Sequence, residues 1–73
     1  MNYAIEQRLV LIDFLLAHYG FVRRDALMDH YGISRPQVSH DFNLYRLRAP
    51  ENMTYNHTAK RWERSETFKR LYG

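Results

Sequence analysis

Two internal glycines limit the helices that the first half of this chain can form. Gly20 and Gly32 each follow a tyrosine, and a histidine precedes each Tyr-Gly pair. Glycine just past a helix accepts the left-handed backbone that closes the last turn, and a histidine suits the charge of a helix C-terminus. The sequence therefore predicts one helix over residues 3–18 and a second, shorter helix over residues 23–30.

The first helix carries more apolar residues than a surface helix needs. Its main stripe, at i, i+4, i+7 and i+11, consists of Ile5, Leu9, Ile12 and Leu16. The residues that widen this stripe are Val10, Leu11, Phe14 and Leu15. We therefore expect the helix to be central to the domain or to be covered on a second side by a partner.

Residues that start a helix follow the second glycine almost at once. Ser34 can cap a third helix, and Gln37 three positions later completes a capping box. Pro36 is tolerated because the first turn has no intrahelical donor to lose; if Pro36 itself begins the helix, Arg35 is the cap. A proline at position 50 ends the helix, which is therefore predicted over residues 34–49.

The spacing of apolar residues changes after the third helix. Residues 53–55 and 61–63 are short alternating runs separated by a polar five-residue turn, which predicts a β-hairpin over residues 53–63. An isolated hairpin is marginal in water, so it should pack on the helices. Leu44 and Leu47 are apolar residues that lie outside the main apolar stripe of the third helix. We expect the hairpin to pack on them.

The tail, residues 65–73, has apolar residues at helical spacing and could form a short last helix. Three helices followed by a hairpin is the order of a winged helix-turn-helix. We therefore predict a mainly α fold with a small β-hairpin wing, as one domain over residues 1–73. A chain of 73 residues buries roughly 60% of the surface that it exposes unfolded, which leaves room for one thin core.

The chain has no arrangement of residues that is typical of catalysis. The four histidines lack the i, i+4 pairing of zinc-binding helices, and there are no cysteines. No glycine-rich phosphate loop occurs, and no serine stands in a nucleophile-elbow context. We therefore predict a protein that is not an enzyme and has no metal, no cofactor and no evident small-molecule ligand.

The chain also has no segment that reads as a membrane span. Its longest apolar run, residues 9–17, is interrupted by Asp13 and is shorter than the about 20 residues that cross a bilayer. The N-terminus lacks the basic patch of a signal peptide, and Glu6 stands in its place. The expected location is the cytoplasm, with no membrane partner.

Basic residues are concentrated in the second half of the chain. Residues 1–33 hold three basic and four acidic residues, a net charge of −1, whereas residues 34–73 hold eight basic and four acidic residues, a net charge of +4. This half contains the third helix, the hairpin and the tail, where a winged helix meets DNA. On charge alone, a solvated basic face explains the pattern equally well.

The start of the third helix favours nucleic-acid binding over a solvated face. Arginine and glutamine make bidentate contacts to guanine and adenine edges in the major groove. The residues predicted to read bases are Arg35, Pro36, Gln37, Ser39 and His40. Asp41 would repel phosphate, so we expect it to be a structural partner of an arginine or a backbone N–H.

Other polar residues are predicted to contact the DNA backbone. On the helices these are Arg24, Ser34, Asn43 and Arg46, and at the wing tip they are His57, Thr58, Lys60 and Arg61. Tyr55 and Trp62 are expected to pack within the wing, because two hairpin aromatics do not make a surface for single strands.

Several segments of the chain resemble a known family. These are residues 6–9, 12–15, 23–27 and 31–34, together with the run Gly-Ile-Ser-Arg-Pro-Gln-Val-Ser-His-Asp-Phe over residues 32–42. They are similar to the DeoR-type winged helix-turn-helix. A closer similarity, which extends through residues 45–55 and 59–62, is to the N-terminal domains of WYL-domain transcriptional regulators, including repressors found beside phage-defence systems.

The chain departs from this family at two points. DeoR-type helices have two basic residues before the aspartate, where this chain has Ser39 and His40, so phosphate affinity or base preference should differ there. The WYL domain is absent. The chain is therefore either a fragment of a longer regulator or a small repressor that acts alone.

The residues and the resemblance together predict a sequence-specific, double-stranded DNA-binding regulator, a repressor that binds an inverted repeat as a homodimer. The apolar residues predicted to form the dimer surface are Val10, Leu11, Phe14, Phe68, Leu71 and Tyr72. The alternative is a protein-interaction module that keeps the winged-helix shape without binding DNA.

Overall fold

Three helices and three short strands make up the computed structural model, which describes residues 3–73. In chain order they are α1 (Tyr3–Tyr19), β1 (Phe21–Val22), α2 (Arg24–Tyr31), α3 (Arg35–Arg48), β2 (Met53–Asn56) and β3 (Arg61–Arg64). The predicted fold class, a mainly helical winged helix-turn-helix with a small hairpin, is confirmed. The boundaries of the three helices and the hairpin lie within one residue of their predicted positions.

The helix ends follow from the glycines and from one serine. Gly32 has the left-handed backbone, with φ +64°, and its N–H closes α2 on the carbonyl of Met28. The hydroxyl of Ser34 accepts from the backbone N–H of Gln37 at 3.4 Å, which makes Ser34 the cap of α3 and Arg35 its first helical residue. The side chain of Gln37 donates to Asp41 instead of returning to Ser34, so only half of the predicted capping box forms.

The sheet has one strand more than the predicted two-stranded wing. Its order is β1-β3-β2, antiparallel throughout, with Val22 opposite Trp62 and Tyr55 opposite Trp62 on the other side. β1 consists of only two residues between a helix stop and the next helix. A segment of that length has no alternating pattern, which is why the sequence did not predict it.

The core is a single cluster at the centre of the three helices and the sheet. Its buried apolar residues are Leu9, Ile12, Leu16, Val22, Leu27, Val38, Phe42, Tyr45 and Met53. Three of them belong to the predicted stripe of α1, so this helix is central to the domain. Fully burying a side chain of this kind stabilises a fold by about 1.5–3 kcal/mol.

The prediction that the hairpin packs on Leu47 is wrong. Leu47 is 77% exposed and Leu44 is half-buried. The hairpin instead meets α3 through Trp62, whose ring stacks on Phe42 at 5.8 Å between centroids. The cause is β1, because its pairing with β3 holds the hairpin beside the C-terminal end of α1.

The predicted C-terminal helix is also wrong. Residues 65–73 form turns and extended chain, with no helix. The backbone N–H groups of Leu71 and Tyr72 donate to the Asp13 carboxylate instead of to helical carbonyls. The side chains of Phe68, Leu71 and Tyr72 pack against the domain's own core.

Candidate nucleic-acid interface

An open cleft of about 470 Å³ lies between α3 and the wing. We call it the helix–wing cleft. The residues that line it are Arg24, Ser39, Phe42, Asn43, Arg46, Tyr55, His57 and Trp62. Five of them are predicted DNA contacts, which three separate parts of the chain bring together: α2, α3 and the wing.

The inner wall of the helix–wing cleft is aromatic. Trp62 is stacked on Phe42 and meets Tyr55 edge to face, with ring centroids 5.1 Å apart. Tyr55 in turn meets the exposed ring of His57 at 4.9 Å. Tyr55 and Trp62 therefore pack within the wing, as predicted, and they hold His57 at the rim of the cleft.

The predicted base-reading residues lie on the first two turns of α3. Arg35, Pro36 and His40 are exposed, and Ser39 is half-buried at the cleft. Gln37 is also half-buried, and its amide nitrogen donates to Asp41 at 3.3 Å. A bidentate contact from Gln37 to adenine therefore requires that bond to break.

A buried ion pair fixes this end of α3 to α1. The guanidinium of Arg8 donates to both oxygens of Asp41, at 2.5 Å and 3.2 Å, and the side chain of Asp41 is fully buried. The prediction that Asp41 is a structural partner of an arginine is confirmed. The carboxylate is thus neutralised below the surface that phosphates would approach.

The wing tip is shaped by an asparagine. The side-chain carbonyl of Asn56 accepts from the backbone N–H groups of Thr58 and Ala59, at 3.0 Å and 2.9 Å. Thr58 and Lys60 are exposed, and Lys60 has a left-handed backbone with φ +55°. This turn presents two of the predicted phosphate contacts to solvent.

Arg61 does not join the other predicted contacts at the cleft. Its guanidinium pairs with Glu63 at 2.7 Å and lies 4.2 Å above the ring centroid of Phe21. The hydrogen bonds from Arg61 and Asn56 lower the pKa of Glu63. The guanidinium of Arg61 therefore lies on the β1 side of the sheet, a position that the sequence did not predict.

The predicted dimer surface is divided by the fold. Val10 and Phe14 are each 40% exposed, whereas Leu11 is half-buried. A groove of about 600 Å³ runs beside them; it is lined by Tyr3, Glu6, Gln7, Val10, Leu11, Phe14, His30, Tyr31 and Arg70. None of these residues lines the helix–wing cleft. Phe68, Leu71 and Tyr72 are not a free apolar surface, because they pack within the protomer.

Residues 3–73 lack the features of two other kinds of site. No cluster of three or more histidine, cysteine, aspartate or glutamate residues within this range is placed to hold a metal ion. No helix of the described chain has the length and apolar character needed to span a membrane.

Comparison with known proteins agrees with this geometry. Residues 4–72 match the model of the winged helix-turn-helix domain of the BrxR transcriptional regulator. The chain belongs to this BrxR-type family.

Relatives of this BrxR-type domain include regulators with known names. It is 36% identical over 67 residues to the DNA-binding transcriptional repressor CapW of Escherichia coli (strain KTE188), and 37% identical over 67 residues to CapW of Pseudomonas aeruginosa. Each of these alignments covers 92% of this chain and 22% of the repressor. The chain therefore spans about a fifth of the length of these curated relatives.

Some residues that shape the interface of this BrxR-type domain could not be found from the sequence. Arg8 and Phe21 support α3 and the wing through partners that are distant in the chain. Asn52 lies buried in the turn after α3 and binds Tyr45. The sequence contains one signal for such residues, which is a charged residue inside an apolar helix, as at Arg8 and Asp13. A buried charge needs a partner, so each of these residues indicates a contact with another part of the chain.

Proposed function

We propose that this BrxR-type domain binds double-stranded DNA with α3 and the wing, and that it represses transcription. The observation that carries the proposal is the helix–wing cleft, where Arg24, Asn43, Arg46 and His57 converge from separate elements. The family and the name of the CapW relatives support the same function. The net charge of +4 in residues 34–73 favours a polyanionic partner.

In this proposal the exposed start of α3 enters the major groove. Arg35, Pro36, Ser39 and His40 read bases there, and Gln37 joins them once it leaves Asp41. The residues that bind phosphate are Ser34, Arg24, Asn43, Arg46, His57, Thr58 and Lys60. Arg61 has a supporting role, because it braces the wing against Glu63 and Phe21.

We infer that the domain binds an inverted repeat as a two-fold dimer. A module of this size makes few contacts alone, and two half-sites supply the rest. Tyr3, Val10 and Phe14 form the exposed apolar surface next to the groove of α1. Three side chains are far fewer than the about 20–30 residues per side of a standard interface, so the dimer should form on DNA and not in free solution.

The finer resemblance to DeoR-type and WYL-associated domains stays a prediction, as do a cytoplasmic location and the lack of catalytic activity. The resemblance to DeoR-type domains can be tested by substitutions at residues 39 and 40. Variants in which Ser39 or His40 is replaced by arginine should bind DNA more tightly, because DeoR-type helices have basic residues at these positions.

The decisive experiment is selection of bound sequences from random duplex DNA, followed by a salt titration on the selected site. Three cationic phosphate contacts per protomer, from Arg24, Arg46 and Lys60, should give a slope of about −5 for log affinity against log salt in a dimer. Arg24→Ala and Arg46→Ala each remove two contacts from the dimer and should make the slope less steep by about two, whereas the control Lys69→Ala, outside the cleft, should not. Failure to enrich any sequence at low salt would contradict the proposal and favour a protein-interaction module.

A further inference from the structure

A buried carboxylate connects the C-terminal segment to the helix that carries the cleft. The side chain of Asp13, on α1, is fully buried. One of its oxygens accepts from the phenol of Tyr45, on α3, at 2.5 Å. The other accepts from the Arg70 guanidinium at 2.8 Å and from the Tyr72 N–H at 3.0 Å, and the Leu71 N–H reaches both oxygens. Asp13 thus joins α1, α3 and the tail.

A second connection passes through the turn after α3. The buried amide of Asn52 donates to the Tyr45 phenol at 3.0 Å and to the Lys69 carbonyl at 2.7 Å. The Lys69 N–H returns to the Asn52 side-chain oxygen at 3.0 Å. The tail backbone therefore pairs with Asn52 in both directions, and the Tyr45 phenol lies between Asn52 and Asp13.

A third connection lies at the surface. Arg48, the last residue of α3, donates to the Tyr72 phenol at 2.7 Å and pairs with Glu6 at 2.7 Å. Tyr72 also donates to Glu6 at 3.1 Å. The tail is thus linked to Tyr45 through Asp13 and Asn52, and it contacts α3 directly at Arg48.

These connections bracket a residue of the helix–wing cleft. Arg46 lines the cleft and stands between Tyr45 and Arg48, both of which are linked to the tail. The tail has no regular secondary structure of its own, and it is held by hydrogen bonds to Asp13 and Asn52 and by the packing of its apolar side chains on the core. Its departure would remove the Arg70 guanidinium and two N–H donors from the Asp13 carboxylate, which is also bonded to Tyr45 of α3.

We propose that residues 65–73 form a strap whose seating sets the DNA affinity of α3. With the strap seated, Tyr45 and Arg48 are fixed and Arg46 is held at the cleft. With the strap displaced, Arg48 loses Tyr72, and the two residues that hold Tyr45, Asp13 and Asn52, lose their own partners in the strap. Phosphate binding at the cleft then weakens. The inference rests on the proposed DNA binding. It implies that any change that displaces the strap lowers the affinity for DNA.

The test uses Asp13→Asn in the full chain. The asparagine carbonyl can still accept from Tyr45, but its amide nitrogen stands where Arg70 and Tyr72 donate, so the strap is released while the link from α1 to α3 remains. Hydrogen exchange at the Leu71 and Tyr72 amides reports seating, and fluorescence anisotropy on selected DNA reports affinity. Both are measured where denaturation curves show that each variant is folded.

Asp13→Asn should lose protection at both amides and bind DNA on the order of tenfold more weakly, within the usual range for coupled sites. The matched control Glu66→Gln, an exposed change of the same charge within the tail, should alter neither readout. If Asp13→Asn does not fold, the double variant Arg70→Ala/Tyr72→Phe releases the strap from its outer side and should give the same pair of effects.

Lost amide protection with unchanged affinity would overturn the strap while leaving the proposed function intact. Equal weakening by Asp13→Asn and Glu66→Gln would also overturn it, because charge alone would then explain the effect. Wild-type protein that binds no DNA would overturn the proposed function, and the role of the strap with it.

Discussion

The guanidinium of Arg8 and the carboxylate of Asp41 form an ion pair inside the protein, with Nε 2.5 Å from Oδ2. The pair joins α1 to the start of α3, and Gln37 adds a third hydrogen bond to the same carboxylate. The exposed residues Arg35 and His40 lie on the turns of α3 that lead up to Asp41. The orientation of the α3 surface that we propose to face DNA therefore depends on a buried contact beneath that surface.

Removing one partner of this pair should be far more damaging than removing both. Arg8→Ala leaves the Asp41 charge buried without its partner, which should lower the free energy of unfolding by about 3–5 kcal/mol. The double variant Arg8→Met/Asp41→Leu should be markedly more stable than Arg8→Ala, because no buried charge remains. Urea denaturation measures both, with the exposed Arg23→Ala as the control. Equal losses for the single and double variants would contradict this account.

Base reading and phosphate binding should be separable by substitution. Arg35→Ala should weaken binding to the selected site by about 1–3 kcal/mol and relax one base position, whereas Lys60→Ala should weaken binding to all sequences alike. Gln37→Ala should lose less than Arg35→Ala, since Gln37 must first leave Asp41. Competition between selected and random duplexes measures the difference. An equal loss on both duplexes for Arg35→Ala would refute its role in reading bases.

Asp13 should make the domain sensitive to acid. Burial alone would raise the pKa of Asp13, but the hydrogen bonds from Tyr45, Leu71, Arg70 and Tyr72 together lower it below its ordinary value of 3.8. A carboxyl group whose pKa is lowered by folding contributes stability that is fully present above its unfolded pKa and is lost as pH falls through the folded value. The urea concentration at the unfolding midpoint of wild type should therefore decrease as the pH is lowered below about 4. The decrease for Asp13→Asn should be smaller. Parallel curves for the two proteins would contradict this assignment.

The Tyr45 phenol should remain a donor throughout that titration. Burial and the hydrogen bond to Asp13 raise its pKa above the ordinary value of 10.0. The link from α3 to Asp13 is therefore not lost by ionisation of Tyr45 at any pH below the ordinary value of 10.0, the acid range included.

The proposed dimer surface should affect DNA binding only on a duplex with two half-sites. Phe14→Glu places a charge on the exposed face of α1, so it should reduce cooperative binding to an inverted repeat while leaving the affinity for a single half-site unchanged. Tyr19→Glu makes the same change on the same helix at a residue that is 67% exposed and outside the groove. Anisotropy on half-site and full-site duplexes compares them. Equal loss of cooperativity in both variants would rule out this surface.

The sequence predicts the helices well because their ends are local. Gly32 and Ser34 close α2 and open α3 through bonds that span at most four residues. The tail was predicted wrongly for the opposite reason. Its apolar spacing is helical, but its N–H groups bind Asp13, whose position no local pattern reveals.

The candidate interface divides in the same way. The exposed start of α3 follows from the cap and from helical periodicity. The exclusion of Arg61 from the cleft depends on Phe21, a residue of a strand too short to predict. The exposure of Leu47 has the same origin, because β1 fixes where the hairpin lies.

The pairing of β1 with β3 also constrains how the protein is made. Val22 leaves the ribosome 40 residues before its partner Trp62. Asp13 likewise leaves 57 residues before Arg70. Contacts of such long sequence separation form late and slow the folding reaction. A nascent chain that has exposed only its three helices therefore lacks β3, the partner of β1, and the donors to its Asp13 carboxylate. It completes its native structure only when residues 61–72 have been made.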